Sequence, residues 1–308
     1  MDRTNTAASS FEEVIRRARA AGPVSVAVAG ANDGHVIDAL RLAFEHGLVS
    51  QAYLTGEKDE IASRLRQAGI DDSRTSIVGC ETPLDKCRAA VSLAASGEAS
   101  VLMKGLVDTA GFMRAVLERE KGLRANRLLS QVGVYEVPGF DRLLFVADVG
   151  VVIAPDLAQK AEILGNAVDV ARALGVDEPR AALLSFSEFV DPEVPASIDA
   201  AALAKMTARG QVRGVLVDGP LALDNAVSPE AAAHKGIGGL VAGSADILIV
   251  PDLLSGNIFA KSLLYFARAR SAGVVVGARV PVVLTSRADP AASKLNSIAV
   301  AVLLGRFS

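Results

Sequence analysis

VSVAVAGANDGHVIDALRLAFEHGLVSQAYLTG, residues 24–56, decides the fold class. VSVAVAG (24–30) is a short β-rich run, residues 35–47 repeat apolar positions at helical spacing, and QAYLTG (51–56) is a second β-rich run. Strand, helix and strand in that order make a βαβ unit, whose crossover sets the two strands parallel. The rhythm continues outward. Runs at 100–105, 180–186, 214–220, 245–252 and 274–278 alternate with amphipathic stretches at 83–95, 157–174, 199–209, 257–270 and 290–304. Four to six apolar residues in a row suit strands covered on both faces of a largely parallel sheet, so the fold class is α/β.

Helix starts can be read directly where a capping side chain precedes a proline, at Thr82-Pro83, Ser228-Pro229 and Asp289-Pro290. The rhythm changes at 131–154, where QVGVYEV, RLLFVAD and VGVVIA follow one another across tight turns and are expected to be antiparallel strands. A domain junction is placed near 133. No Pro-rich or Ser-rich linker interrupts the chain there.

Charge and composition narrow the partners. The 308 residues hold 32 Lys and Arg against 35 Asp and Glu, a net charge of −3, so nucleic acid and acidic membranes are not attracted globally. An anionic ligand must be held by local groups. Aromatics at 4% and the absence of Trp leave little stacking surface for single-stranded nucleic acid. A hydrophobic fraction of 51% is enough for two cores, since a domain takes about 150 residues. Cys80 and Cys87 are too few for a disulfide framework, which fits a reducing cytoplasm, and each is read as a small buried hydrophobe rather than a nucleophile. The start, MDRTNTAASSFEEVIRRARA, lacks the apolar core of a signal peptide, and no run approaches 18 uncharged apolar residues, so neither secretion nor membrane spanning is expected.

P-loop, zinc-hydrolase and nucleophile-elbow signatures are missing, and His35, His46 and His234 stand singly, so no metal is assigned. Four strand ends carry the chemistry instead. TSRADPAASKLNS (285–297) sets Ser286 and Arg287 just before a helix start capped by Asp289, where unpaired N–H groups, a guanidinium fork and a hydroxyl can hold phosphate or an oxyanion. A capped helix with a surface arginine accounts equally well for that segment alone. PDLLSGNIFAKSL (251–263) runs through a Ser255-Gly256-Asn257 turn into a helix bearing Lys261. MKGLVDTAGFMRAV (103–116) leads from Lys104 through Gly105 and Asp108 to Arg114, and VDGPLALDNAVSPEAAAHKG (217–236) holds Asp218 at a strand end and Asp224 in a loop. Turn glycines, solvated cations and bracing aspartates are the ordinary explanations of these three. All four loops nevertheless lie where open α/β sheets bind ligands.

With YEVPGFDRLLFVADVGVVIAPDL (135–157), PASIDAAALAKMTARGQVRG (195–214) and VAGSADILIVPDLLSGNIFAKSL (241–263) added, nearly the whole chain resembles the phosphotransacetylase and phosphotransbutyrylase family of phosphate acyltransferases, its butyryl branch most. The resemblance implies two α/β lobes of the isocitrate and isopropylmalate dehydrogenase type with the active-site cleft between them, 1–133 with 284–308 and 134–283. It further implies reversible transfer of a short acyl group, butyryl or acetyl, between coenzyme A and inorganic phosphate, with no cofactor besides that substrate, in a cytoplasmic homodimer. Carried over by position, the family's Ser-Arg pair falls on Ser286 and Arg287, its phosphate-side arginine on Arg114, and its Gly-Asn-x-x-x-Lys element on Gly256, Asn257 and Lys261, with Lys104 and Thr285 joining the substrate contacts. The acetyl-specific members' catalytic Asp has no positional match, since Ala288, Asp289 and Ser293 occupy that stretch. Asp289 and Asp224 remain the two candidates for the base that takes the coenzyme A thiol proton. A non-catalytic acyl-coenzyme A sensor and a dehydrogenase of related fold are the alternatives, and intact Ser286 and Arg287 argue against the sensor.

Overall fold

The computed structural model describes residues 7–307; residues 1–6 and 308, which the expected first lobe and the leader reading include, lie outside the described residues. The chain divides into two compact units, 11–127 with 271–307 and 7–10 with 128–270. The first opens with α1 (Phe11–Ala21), β1 (Val24–Ala29), α2 (Gly34–Glu45), β2 (Val49–Gly56), α3 (Lys58–Ala68), β3 (Thr75–Gly79), α4 (Pro83–Ala95), β4 (Val101–Lys104) and α5 (Thr109–Val116). Asp33, Thr82 and Asp108 start α2, α4 and α5 by accepting from the N–H groups of Val36, Asp85 and Gly111 at 3.1, 3.2 and 2.7 Å. Each satisfies a donor that the first helical turn leaves open.

The second unit holds β5 (Ser130–Glu136), β6 (Leu143–Ala147), α6 (Leu157–Ala173), β7 (Arg180–Leu184), α7 (Pro195–Ala208), β8 (Leu216–Leu221), α8 (Leu223–Val227), α9 (Pro229–His234), β9 (Ile247–Ile249) and α10 (Leu253–Tyr265). The chain then returns to the first unit through β10 (Arg270–Val276), β11 (Val282–Val283) and α11 (Ala291–Phe307).

In the first unit the strands run in the order β3-β2-β1-β4-β11-β10, parallel except for the antiparallel pair β10 and β11. In the second the order is β5-β6-β9-β7-β8, with only β5 and β6 antiparallel. All four residues of β4 and all five of β6 are buried, as expected of strands covered on both faces. Helix α11 is buried nearly all round. A helix that is apolar on every side belongs in a core, and its polar residues must then find partners there. Asn296 donates to Ser271 O at 3.2 Å, and Ser297 Oγ accepts from Gly273 N–H at 2.9 Å.

Those last bonds account for one departure from the expected boundaries. They tie 271–283 to the first unit, so the return comes before β10 ends rather than at 284. The other junction falls at 127/128 because β5 pairs with β6 and Leu128 N–H donates to Glu162 at 2.6 Å. VGVVIA is a loop rather than a third antiparallel strand. The buried Asp148 carboxylate accepts from the N–H groups of Gly150, Val151 and Val152 at 2.8, 3.1 and 2.9 Å and so folds that segment around itself. Helix α10 begins at Leu253, a turn earlier than the sequence suggested, because Asp252 caps it by accepting from Ser255 N–H at 2.8 Å. Asp218 lies inside β8, and Asp224 lies in the short α8 rather than in a loop.

Candidate active site

In the first unit β1, β4 and β11 are parallel neighbours, so the loops 30–33, 105–108 and 284–290 leave the same edge. Two glycines bring the first two loops together. Gly105 N–H donates to Ala29 O at 2.9 Å and Leu106 N–H to Gly30 O at 2.7 Å, and a side chain at Gly105 would overlap the Gly30 carbonyl oxygen. Gly30 itself sits at φ +75°, a conformation that favours glycine. The MKG turn therefore holds the end of β4 against β1, which fixes where Lys104 stands.

Lys104 is only 3% exposed and Lys294 only 2%. Lys104 donates to Gly105 O at 3.3 Å, and Lys294 donates to Asp289 O at 2.6 Å and Ser286 O at 3.2 Å. Neither is ion-paired with a carboxylate among the described residues, though such a partner is the usual condition for burying a charge. Burial, then the nearby Arg287 and Lys294 charges, holds the Lys104 ammonium below its ordinary pKa, with Asp108 opposing. Burial lowers Lys294 as well, against the attraction of Asp289 and Asp33. Thr285 is 8% exposed, and its buried hydroxyl has no hydrogen-bond partner among the described residues. Ser286 and Arg287 are exposed. Three cations and a spare hydroxyl therefore meet at one strand edge, where Asp108, Asp289 and Asp33 are near enough to act on the two lysines but none is ion-paired with them among the described residues.

Asp289 corrects the capping reading. Its carboxylate accepts from Ser286 N–H at 2.8 Å, while Ala288 N–H donates to Ser286 Oγ at 3.4 Å, so it closes the Ser286–Asp289 turn instead of capping α11. Arg114 is exposed on α5 and makes no hydrogen bond or ion pair among the described residues. The Cys87 thiol is buried and pushed up to about 11, first by burial and then by Asp108, and burial also raises Cys80; neither is a thiolate nucleophile at neutral pH.

Asp224, Gly256, Asn257 and Lys261 belong to the second unit. Gly256 is a buried helical residue whose missing side chain admits the Asp148 carbonyl oxygen, so the close approach there is to the protein itself. Asn257 and Lys261, one turn apart on α10, are exposed. Asp224 pairs with Lys235 at 2.9 Å, and that hydrogen bond holds its carboxyl below the ordinary range. Sequence reasoning missed Lys294, although a lone lysine in the apolar run AASKLNSIAVAVLL was the available signal. A cation in a helix buried all round has no route to bulk water.

Cations gathered at a strand edge of an α/β unit are chemically suited to a small anion. The chain belongs to the phosphate acetyl/butaryl transferase family, whose pattern matches residues 80–302. It is 45% identical over 295 residues to phosphate butyryltransferase of Clostridium beijerinckii, covering 96% of this chain and 97% of that one. It is 41% identical to phosphate acetyltransferase of Thermotoga maritima, covering 95% and 99% of the two chains. A branched-chain phosphotransacylase from Enterococcus faecalis superposes with a TM-score of 0.81 at 33% identity, covering 92% of this chain and 99% of the other. The protein is accordingly a phosphate acyltransferase, acting on acetyl or butyryl groups.

Proposed function

We propose that the first unit's strand edge holds the transferring phosphate and that the reaction is a direct displacement between coenzyme A and a short acyl phosphate. The observation that carries this reading is the pair of buried ammonium groups, Lys104 and Lys294, beside Arg287 and the unpartnered Thr285 hydroxyl, with no carboxylate paired to them. A bound phosphate dianion supplies the missing charge. The coenzyme A thiolate attacks the acyl carbonyl, a C–S bond forms, the C–O bond to phosphorus breaks, and phosphate leaves with the electron pair. Ser286, Arg287 and the backbone N–H groups of their turn stabilise the carbonyl oxyanion and the departing phosphate. Asp289 is the carboxylate beside that serine and takes the thiol proton; Asp224, whose proton affinity Lys235 lowers, is the weaker candidate. Arg114 is assigned to the phosphate side, and Gly256, Asn257 and Lys261 mark the stretch of α10 assigned to the substrate.

Phosphate-dependent thiol release from acyl-coenzyme A of two to six carbons tests the reading, with butyryl expected among the accepted chains. Binding of the thioester without thiol release at any length overturns it in favour of a non-catalytic sensor.

The assembly is proposed to be a homodimer, and the Cys80 and Cys87 thiols, both free, fit a cytoplasmic setting. Among the described residues, no helix is long and apolar enough to cross a membrane. Along α10, Leu254, Ile258 and Tyr265 are exposed, and Phe266 follows them. Lys261 shares that face of α10, so a second copy of the chain seated there borders the stretch assigned to the substrate. Sedimentation at micromolar concentration is expected to give twice the chain mass, and a single 31.8 kDa particle refutes the dimer.

A further inference from the structure

The Ser286–Asp289 turn is already closed by its own bonds: Ser286 N–H donates to the Asp289 carboxylate at 2.8 Å, and Asp289 N–H donates to Ser286 O at 3.2 Å. Lys294 nevertheless reaches from the buried helix α11 to the carbonyls at both ends of that turn, at 3.2 Å to Ser286 O and 2.6 Å to Asp289 O. A neutral amide could satisfy a carbonyl without burying a charge, and Asp289 and Asp33 attract the ammonium without pairing with it, so the charge is left to act beyond the two carbonyls. Its field reaches Lys104, and Arg287 stands between the two carbonyls it binds.

We infer that Lys294 is a positioning residue for phosphate. It clamps the turn that presents Ser286 and Arg287, and it adds a second buried positive charge to the field that Lys104 and Arg287 create. This rests on the phosphate-site reading above and deepens it. The consequence is a selective one: loss of the charge weakens the phosphate step and leaves acyl-coenzyme A recognition alone.

The test is steady-state kinetics of the full chain, varying phosphate and butyryl-coenzyme A separately, with Lys294→Gln and Lys294→Arg. Lys294→Gln is expected to raise KM for phosphate about tenfold with KM for butyryl-coenzyme A unchanged, the size expected for one charge-assisted contact. Sulfate, as a competitive inhibitor against phosphate, should lose affinity in parallel. Lys294→Arg keeps a charge and donors and is expected to return KM for phosphate to within about threefold of the parent. KM does not depend on how much of a sample is folded, so partial unfolding of the glutamine variant does not obscure the result. A phosphate KM within about threefold of the parent in Lys294→Gln, or a parallel rise in KM for the thioester, overturns the inference. If Arg287→Ala then still loses phosphate turnover, the phosphate-site reading survives without Lys294; if the parent releases no thiol, both fall.

Discussion

Arg287→Ala is expected to lower kcat/KM for phosphate by about 10- to 100-fold or more, because a charge-assisted bond to phosphate contributes roughly 1.5–3 kcal/mol, and more in a water-poor site. The guanidinium makes no hydrogen bond or ion pair among the described residues, so its removal breaks nothing that holds the turn. The turn is closed by Asp289 and clamped by Lys294, both of which remain. The melting temperature should therefore stay close to the parent's while catalysis falls. Arg287→Lys should recover only part of the loss, since an ammonium cannot offer phosphate the paired fork of a guanidinium. A surface arginine with no role changes both quantities within about 0.5 kcal/mol for either substitution. Near-full activity in Arg287→Ala removes the Ser-Arg turn from the reaction centre, whatever the family membership says.

Legibility in the sequence followed burial. The βαβ rhythm was readable because strands covered on both faces are continuously apolar, as VLMK and LLFVA are, while the helices between them keep a polar face and explicit caps, as at Thr82 and Ser228. The rhythm failed where a single side chain outvoted it. VGVVIA has the composition of a strand, but Asp148, just before it, offers a buried carboxylate to the N–H groups of Gly150, Val151 and Val152, and these bonds replace a ladder. Asp289 failed in the same way, since a residue before a proline reads as a cap, whereas its carboxylate turns back to Ser286 N–H. At the site, Ser286, Arg287 and Lys104 could be marked as strand-end polar residues. Lys294 stood out only as a lone cation in an apolar run; its relation to Ser286 and Asp289 depends on α11 being buried on all sides, which local patterns do not show.

Gly105→Ala is expected to damage stability and turnover together. The new methyl group would overlap the Gly30 carbonyl oxygen and stand 3.0 Å from the Ala29 oxygen. Both are backbone atoms at the end of β1, so they cannot rotate aside as a side chain would. The strands could separate only by giving up the bonds from Gly105 N–H to Ala29 O and from Leu106 N–H to Gly30 O. Overpacking costs typically 1–3 kcal/mol, and adding the loss of those bonds brings the expected cost to about 3 kcal/mol or more, read as a fall in the denaturation midpoint. Whatever fraction folds should also turn over slowly, since Lys104 precedes the displaced residue and is placed by the same contact. Gly79→Ala is the control: Gly79 ends β3, which runs parallel in the same sheet but lies beyond β2 from β1 and β4, with open space where the methyl would go. There the change should lie within about 0.5 kcal/mol, or stabilise slightly by restricting the unfolded chain. If the two alanine variants melt alike, the close approach of β1 and β4 is not what fixes the MKG turn, and Lys104 loses its structural reason for standing in the site.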